Sequence, residues 1–121
     1  MRARNTVVAT VLAIWLISHS WADEPLKCEA GPVTRTFGGT PWLIYGCQDG
    51  QSLAIVSAPG NPAMPFYFFF SPSNNGHRLV GEGTGSKQAS AAALTELNAL
   101  SAADVIALGV EARRAKAGSS P

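Results

Sequence analysis

The sequence predicts an α+β fold: an antiparallel β-meander of four to five strands, followed by a C-terminal α-helical hairpin packed on one sheet face. Before Gly85, apolar residues come in short runs interrupted by glycine and proline, which is typical of strands joined by turns. After Gly85, alanine, leucine and glutamate dominate, and apolar residues recur at helical spacing. A length of 121 residues leaves room for one small domain.

Residues 1–22 have the pattern of a signal peptide. Arg2 and Arg4 precede an apolar run, and Ser20-Trp21-Ala22 offers the small residues that signal peptidase accepts. An uncleaved anchor is the alternative, but polar residues from Ser18 onward interrupt a run that would need about 20 apolar residues to span a bilayer. We therefore expect a periplasmic or secreted protein with no stable membrane insertion after cleavage.

Both cysteines of the chain, Cys28 and Cys47, lie beyond the expected cleavage point. An even number of cysteines in a small exported chain predicts a disulfide, and closing a loop of this length stabilises a fold by about 3 kcal/mol. A redox centre would usually need a Cys-x-x-Cys pair, and a zinc site would need clustered further ligands. We expect a structural bridge, with no metal and no cofactor.

The clearest strand pattern lies at residues 42–57, where two β-rich runs flank Asp49-Gly50. This dipeptide predicts a two-residue hairpin turn, with a register that places Ile44 opposite Ile55. Both faces of the hairpin are apolar: one carries Trp42, Ile44, Leu53 and Ile55, and the other carries Leu43, Tyr45, Ala54 and Val56.

Three further strands complete the expected meander. A strand at 33–37 pairs through 38–41 with the first strand of the hairpin, and a long strand is expected at 64–70. Residues 71–76 then form a turn into a last strand at 77–83.

Two helices are expected after the strands, and together they complete a single domain at 23–116. The first begins near Ser86, and Ser101 with Asp104 forms a capping-box-like start for the second. Their expected buried residues are Ala89, Ala93, Leu97 and Leu100 in the first helix, and Val105, Leu108, Gly109 and Ala112 in the second. The remaining tail, 117–121, is expected to be disordered.

Five consecutive aromatic residues at 66–70 concentrate the aromatic content of the chain. Alternation directs Phe68 and its even-numbered neighbours to one face, and Tyr67 and Phe69 to the other. One interpretation is a strand buried on both sides. The other is that the helix-free face, with Tyr67, Phe69 and Tyr45, stays partly exposed as a surface for a homodimer or another partner.

A glycine-rich junction at 81–87 connects the last strand to the first helix. Its backbone amides and the helix N-terminus make Gly83, Gly85 and Ser86 a weak anion-binding candidate. The segment lacks the order of a P-loop, and Glu82 would repel phosphate. The alternative is a structural junction whose glycines permit unusual backbone angles.

Composition and side-chain chemistry argue against several function classes. After residue 22, seven basic and eight acidic residues remain, with no basic block of the kind that nucleic-acid binding needs. That part of the chain contains a single histidine, His77, expected to be exposed near a turn, so a catalytic triad cannot be assembled. Only Glu82 lacks an evident structural role, and a small hydrolase using Glu82 or His77 is one competing class.

The segment Tyr45-Gly46-Cys47-Gln48-Asp49-Gly50, followed by an alternating strand, resembles the cysteine-bearing hairpin of periplasmic C-type lysozyme inhibitors. This resemblance implies inhibition of a periplasmic enzyme as the alternative function. Our main expectation is a small exported, non-catalytic binding protein of the bacterial envelope. Its partner would be a protein or another envelope component.

Overall fold

The computed structural model describes the backbone of residues 25–119 and the side chains of residues 25–115, so the expected signal peptide at 1–22 lies outside the described residues. The elements are β1 (Ala30–Phe37), β2 (Thr40–Gly46), β3 (Leu53–Ser57), β4 (Phe66–Ser73), β5 (Gly76–Gly83), α1 (Lys87–Asn98) and α2 (Ala102–Ser119). All strand pairs are antiparallel, and the strand order in the sheet is the order in the sequence. The predicted α+β fold with a meander is confirmed.

The β2–β3 hairpin has the predicted register, since Ile44 pairs with Ile55. Its connection is longer than predicted. The Gly50 amide donates to the Cys47 carbonyl at 3.1 Å, and only Gly50 of the turn residues has a positive φ, of 75°. A type I′ turn on Asp49-Gly50 would need positive φ at both residues, so residues 48–51 form a four-residue loop instead.

β4 begins and ends later than predicted. The expected strand at 64–70 is observed at Phe66–Ser73, because residues 71–73 pair with β5 and leave only a tight turn at 74–75. Met64 lies outside the strand, where its amide donates to the Asn61 carbonyl at 3.0 Å. The predicted turn at 71–76 is therefore shorter than expected.

One face of the sheet and the two helices enclose the core. Trp42 lies at the centre of this core, where its side chain is fully buried. Its ring packs against the ring of Phe68, with 5.2 Å between ring centroids. The helices contribute Ala93, Leu97, Val105 and Ala112 to this core. α2 lies over β1 and β2, and α1 contacts β1.

A serine caps the start of each helix, as predicted for Ser101 and as the structure shows for Ser86. The Ser86 hydroxyl accepts from the Ala89 amide at 3.2 Å, and the Ser101 hydroxyl accepts from the Asp104 amide at 3.1 Å. The Asp104 carboxylate in turn accepts from the Ser101 amide at 3.0 Å, which completes a capping box with Asp in place of Glu.

The backbone of α2 is helical as far as Ser119. Disorder of the tail at 117–121 stays a prediction. Among the described residues, no single helix is long and apolar enough to cross a membrane, although α1 and α2, bent by 109° at their junction, together meet that length and composition criterion.

The predicted disulfide joins Cys28 to Cys47. It fastens the segment before β1 to the end of β2, where the Gln48 amide also donates to the Lys27 carbonyl at 2.7 Å. The Arg113 guanidinium of α2 donates to the Cys47 carbonyl at 3.1 Å. The bridge therefore lies where the N-terminal segment, the hairpin and α2 meet.

Candidate binding face

The sheet face opposite the helices is the candidate functional site. We call it the open face, because neither helix contributes to it in the part of the chain that the structure describes. Two rows of paired residues cross it: Leu43, Val56, Tyr67 and Glu82 form one row, and Tyr45, Ala54, Phe69 and Val80 form the other. Tyr67 is 43% exposed and Val80 is 45% exposed, whereas Phe68 on the opposite face is 1% exposed.

Alternation along β4 puts the aromatic residues on both faces as the sequence predicts. The three predicted surface residues lie together, since Tyr45 and Phe69 flank Ala54 in one row and Tyr67 stands in the next. Tyr45 and Phe69 are half-buried by their neighbours within the sheet. The interpretation in which the strand is covered on both sides does not describe residues 25–119.

A phenol and a carboxylate form a hydrogen-bonded pair on the open face. The Tyr67 hydroxyl donates to Oε1 of Glu82 at 3.1 Å. Because this hydrogen bond and the negative charge of Glu82 stabilise the neutral phenol, the pKa of Tyr67 lies above its ordinary value. Glu82, which had no evident structural role in the sequence, is thus the cross-strand partner of Tyr67.

An apolar cleft of about 400 Å³ opens beside this pair. Its walls include Val56, Met64, Pro65, Phe66 and Tyr67, with the Glu82 carboxylate at its rim. Met64 is 51% exposed, and sequence reasoning missed this position by placing it inside a strand. The proline that follows it was the available signal, because proline is disfavoured in the interior of a sheet.

The glycine-rich junction is held by its own backbone. The Thr84 amide donates to the Pro65 carbonyl at 3.0 Å, and the Ser86 amide donates to the Pro62 carbonyl at 2.9 Å. A side chain at Gly85 would collide with the Ala63 carbonyl. These contacts favour the structural interpretation of the glycines, and anion binding at Gly83, Gly85 and Ser86 stays a prediction.

The two candidate catalytic groups do not meet. His77 and Glu82 are five positions apart on β5, so they point to opposite faces and lie about 17 Å apart along the strand. His77 is half-buried rather than exposed as expected, because its ring packs edge-on against Phe70 with 6.2 Å between centroids. Within residues 25–119, no group of three or more His, Cys, Asp or Glu residues is placed to hold a metal ion.

The hairpin loop that resembles lysozyme inhibitors is organised by Asp49. Its carboxylate accepts from the Gln51 amide at 2.9 Å, and from the amide and hydroxyl of Ser52 at 2.8 Å and 2.6 Å. Partial burial acts to raise the pKa of Asp49, but these hydrogen bonds and the charge of Arg113 outweigh it and hold the pKa below its ordinary value. The Asp49 carboxylate thus accepts three hydrogen bonds within this turn.

No protein-family model, curated protein or solved structure matches the chain.

Proposed function

We propose that this chain is a small exported, non-catalytic binding protein of the bacterial envelope. Its partner, a protein or another envelope component, binds through the open face. The observation that carries this proposal is the exposure of Tyr67 and Val80 on a face whose rows are largely apolar. Contiguous exposed apolar surface is unusual on a small monomer and is typical of interaction sites.

The absence of catalysis is supported by the separation of His77 and Glu82 on opposite faces of β5. Aromatic residues that offer a flat, rigid surface with a polar end are enriched where proteins bind one another. On the open face, Tyr67 and Tyr45 are aromatic residues of this kind. The adjoining cleft is a cavity into which a side chain of the partner can insert.

The test compares the two faces of β4. In Tyr67→Ser and Phe69→Ser, partner capture from envelope extracts should be lost with little change in stability, because both side chains lie on the open face. In Phe68→Ser, the domain should lose at least about 3 kcal/mol, since a buried aromatic side chain is deleted. Ile106→Ser on α2, where the side chain is 60% exposed, is the matched control and should keep both stability and capture.

Capture that survives in Tyr67→Ser and Phe69→Ser but fails in Ile106→Ser would move the binding surface to the helices. If Tyr67→Ser and Phe69→Ser unfold the domain as strongly as Phe68→Ser does, these aromatic residues are core and the proposal fails.

Export is supported by the disulfide, which is compatible with an oxidising compartment, and by the signal-peptide pattern of residues 1–22. Cleavage after Ala22 should produce a protein that begins at Asp23 and is periplasmic or secreted. The intact mass of the exported protein measures this directly. A product that retains Trp15 and Trp21 would contradict it and favour a membrane anchor.

Inhibition of a periplasmic enzyme of the lysozyme type is the second candidate function. The specific observation in its favour is that hydrogen bonds to Asp49 organise the loop, since a preformed turn loses little entropy when it binds. β1 and β5 lie at opposite edges of the sheet, which is therefore open rather than a closed barrel. A lysis-protection assay with the processed protein tests this candidate, and no protection would reject it.

A further inference from the structure

The two edges of the sheet differ in how they are protected. β1 carries Pro32 and a register irregularity between Ala30 and Val33, and α2 packs against it. Proline, bulges and covering helices are the usual means by which proteins prevent an edge strand from pairing with another chain. β1 is therefore a blocked edge.

β5 has neither proline nor a register irregularity among the described residues. Its pairing with β4 is regular over the whole strand, from Gly76 opposite Ser73 to Gly83 opposite Phe66, and it contains no proline. Since β5 is the last strand of the sheet, the backbone groups on its outer side have no strand partner within residues 25–119. Such an edge is a template for one more antiparallel strand.

The side chains of β5 on the open face are complementary to those of a second copy of the same strand. Arg78, Val80 and Glu82 lie there in succession, and all three are exposed. The one ion pair within the described residues joins Arg35 to Glu111, so neither Arg78 nor Glu82 has an ionic partner there. Arg78 and Glu82 lie at equal distances on either side of Val80. When two copies of this strand pair antiparallel, each charge can therefore lie opposite the opposite charge of the other copy.

The register follows from symmetry. When two β5 strands pair about a two-fold axis with their open faces on the same side, the axis passes through a residue that meets its own copy. An axis at Val80 places Arg78 opposite Glu82 of the partner subunit and Glu82 opposite Arg78 of the partner subunit. An axis at Leu79 or at Gly81 instead places one of the charges opposite valine. The register centred on Val80 therefore uses both charges.

We propose that two copies of this chain form a dimer by antiparallel pairing of β5 with β5, with Val80 on the two-fold axis and a continuous ten-stranded sheet. The interface is the backbone edge of β5 together with Arg78, Val80 and Glu82. It does not depend on what binds the open face, although it joins the open faces of the two copies into one surface.

Charge reversal tests the register. Sedimentation equilibrium of the processed protein over a range of concentrations should show a dimer whose Kd rises about tenfold or more in Arg78→Glu and in Glu82→Arg, because each change places like charges opposite each other twice per dimer. The double variant Arg78→Glu/Glu82→Arg should restore the original Kd. Tyr67→Phe is the control for the loss of the hydrogen bond to Glu82, and it should leave the Kd unchanged.

Cysteine placement gives a second readout that does not depend on charge. Residues that face each other across antiparallel strands have Cα atoms about 4.5–5.5 Å apart, which is within the range of a disulfide. Val80→Cys should therefore form a covalent dimer under mild oxidation. Thr34→Cys, at an exposed position on β1, is the matched control and should remain monomeric.

A monomer at every concentration, a double variant as weak as the single ones, or cross-linking through Thr34→Cys instead of Val80→Cys would overturn the dimer. These outcomes are separate from those of the proposed function. Capture of an envelope partner by a monomeric protein would support only the open face, and a dimer without any partner would support only the β5 edge.

Discussion

Asn61 is the residue that fixes the loop between β3 and β4. Its side chain is nearly buried, at 4% exposure, and its amide nitrogen donates to the Pro41 carbonyl at 2.7 Å while Oδ1 accepts from the Ala63 amide at 2.9 Å. These two bonds hold Ala63 in the core, where the glycine-rich junction packs on it. Through Ala63, Asn61 therefore connects the loop before β4 to the glycine-rich junction that precedes α1.

Asn61→Ala should lower the free energy of unfolding by about 1–3 kcal/mol, because it leaves the buried Ala63 amide without a partner and removes one of the two hydrogen bonds that the Pro41 carbonyl accepts, the other coming from the Ala58 amide. Urea denaturation of the processed protein measures the change. Asn74→Ala, in the exposed β4–β5 turn, is the control and should stay within about 0.5 kcal/mol of the parent. An equal effect in both variants would show that the Asn61 hydrogen bonds do not stabilise the fold.

At the scale of elements, the β2–β3 hairpin combines a predicted register with an unpredicted loop. A two-residue loop and a four-residue loop with the same centre give the same strand pairs, so the register survives the change of turn. In the longer loop, the Asp49 carboxylate accepts from the Gln51 and Ser52 amides, a local side-chain interaction that competes with ladder hydrogen bonds. Arg113 then connects the loop to α2 through the Cys47 carbonyl.

The pH dependence of stability should report on this loop. The pKa of Asp49 is lower in the folded protein than its ordinary value of 3.8, so the folded state favours the ionised form. Its contribution is fully present above that ordinary value and is lost as the pH falls through the lower, folded value. Asp49→Asn should therefore be less stable than the parent near neutral pH, and the difference should shrink on acidification. Denaturation at a series of pH values measures it, and a difference independent of pH would contradict the role of the charge.

At the scale of the whole molecule, the disulfide joins parts that the sheet alone leaves apart. Cys28 precedes β1 and Cys47 follows β2, so the bridge closes the N-terminal segment onto the hairpin that Arg113 links to α2. Its position is remote from Tyr67 and Glu82, since the two sites lie at β1–β2 and at β4–β5 of the sheet. We therefore expect its role to be structural.

Replacing both cysteines with serine should lower the free energy of unfolding by about 2–4 kcal/mol, since the unfolded chain is no longer constrained by the closed loop. The affinity of the folded double variant for any captured partner should be unchanged. Denaturation and binding measured on the same preparation test the two statements together. Free thiols in the purified exported protein, or a loss of binding without a loss of stability, would contradict them.

Local interactions determined most of what the sequence predicts correctly. The β2–β3 register, the capping box at Ser101, and the alternation of residues 66–70 each depend on neighbours in the chain or in an adjacent hairpin strand. The disulfide followed from the even number of cysteines. The same local reasoning misplaced the ends of β4, where pairing with β5 decided the boundary.

The tertiary structure alone decided which sheet face the helices cover, because both faces of the hairpin are apolar and the pattern cannot distinguish them. The physical reason is that two glycines, which have no side chain, allow the helices to approach the strands closely. A side chain at Gly38 would come within 2.5 Å of the Ala93 amide of α1, and one at Gly46 would come within 3.1 Å of Arg113 of α2. These glycines are visible in the sequence, but the helices that pack against them are brought there only by the fold. By covering that side, the helices leave Tyr67, Phe69 and Tyr45 on the open face.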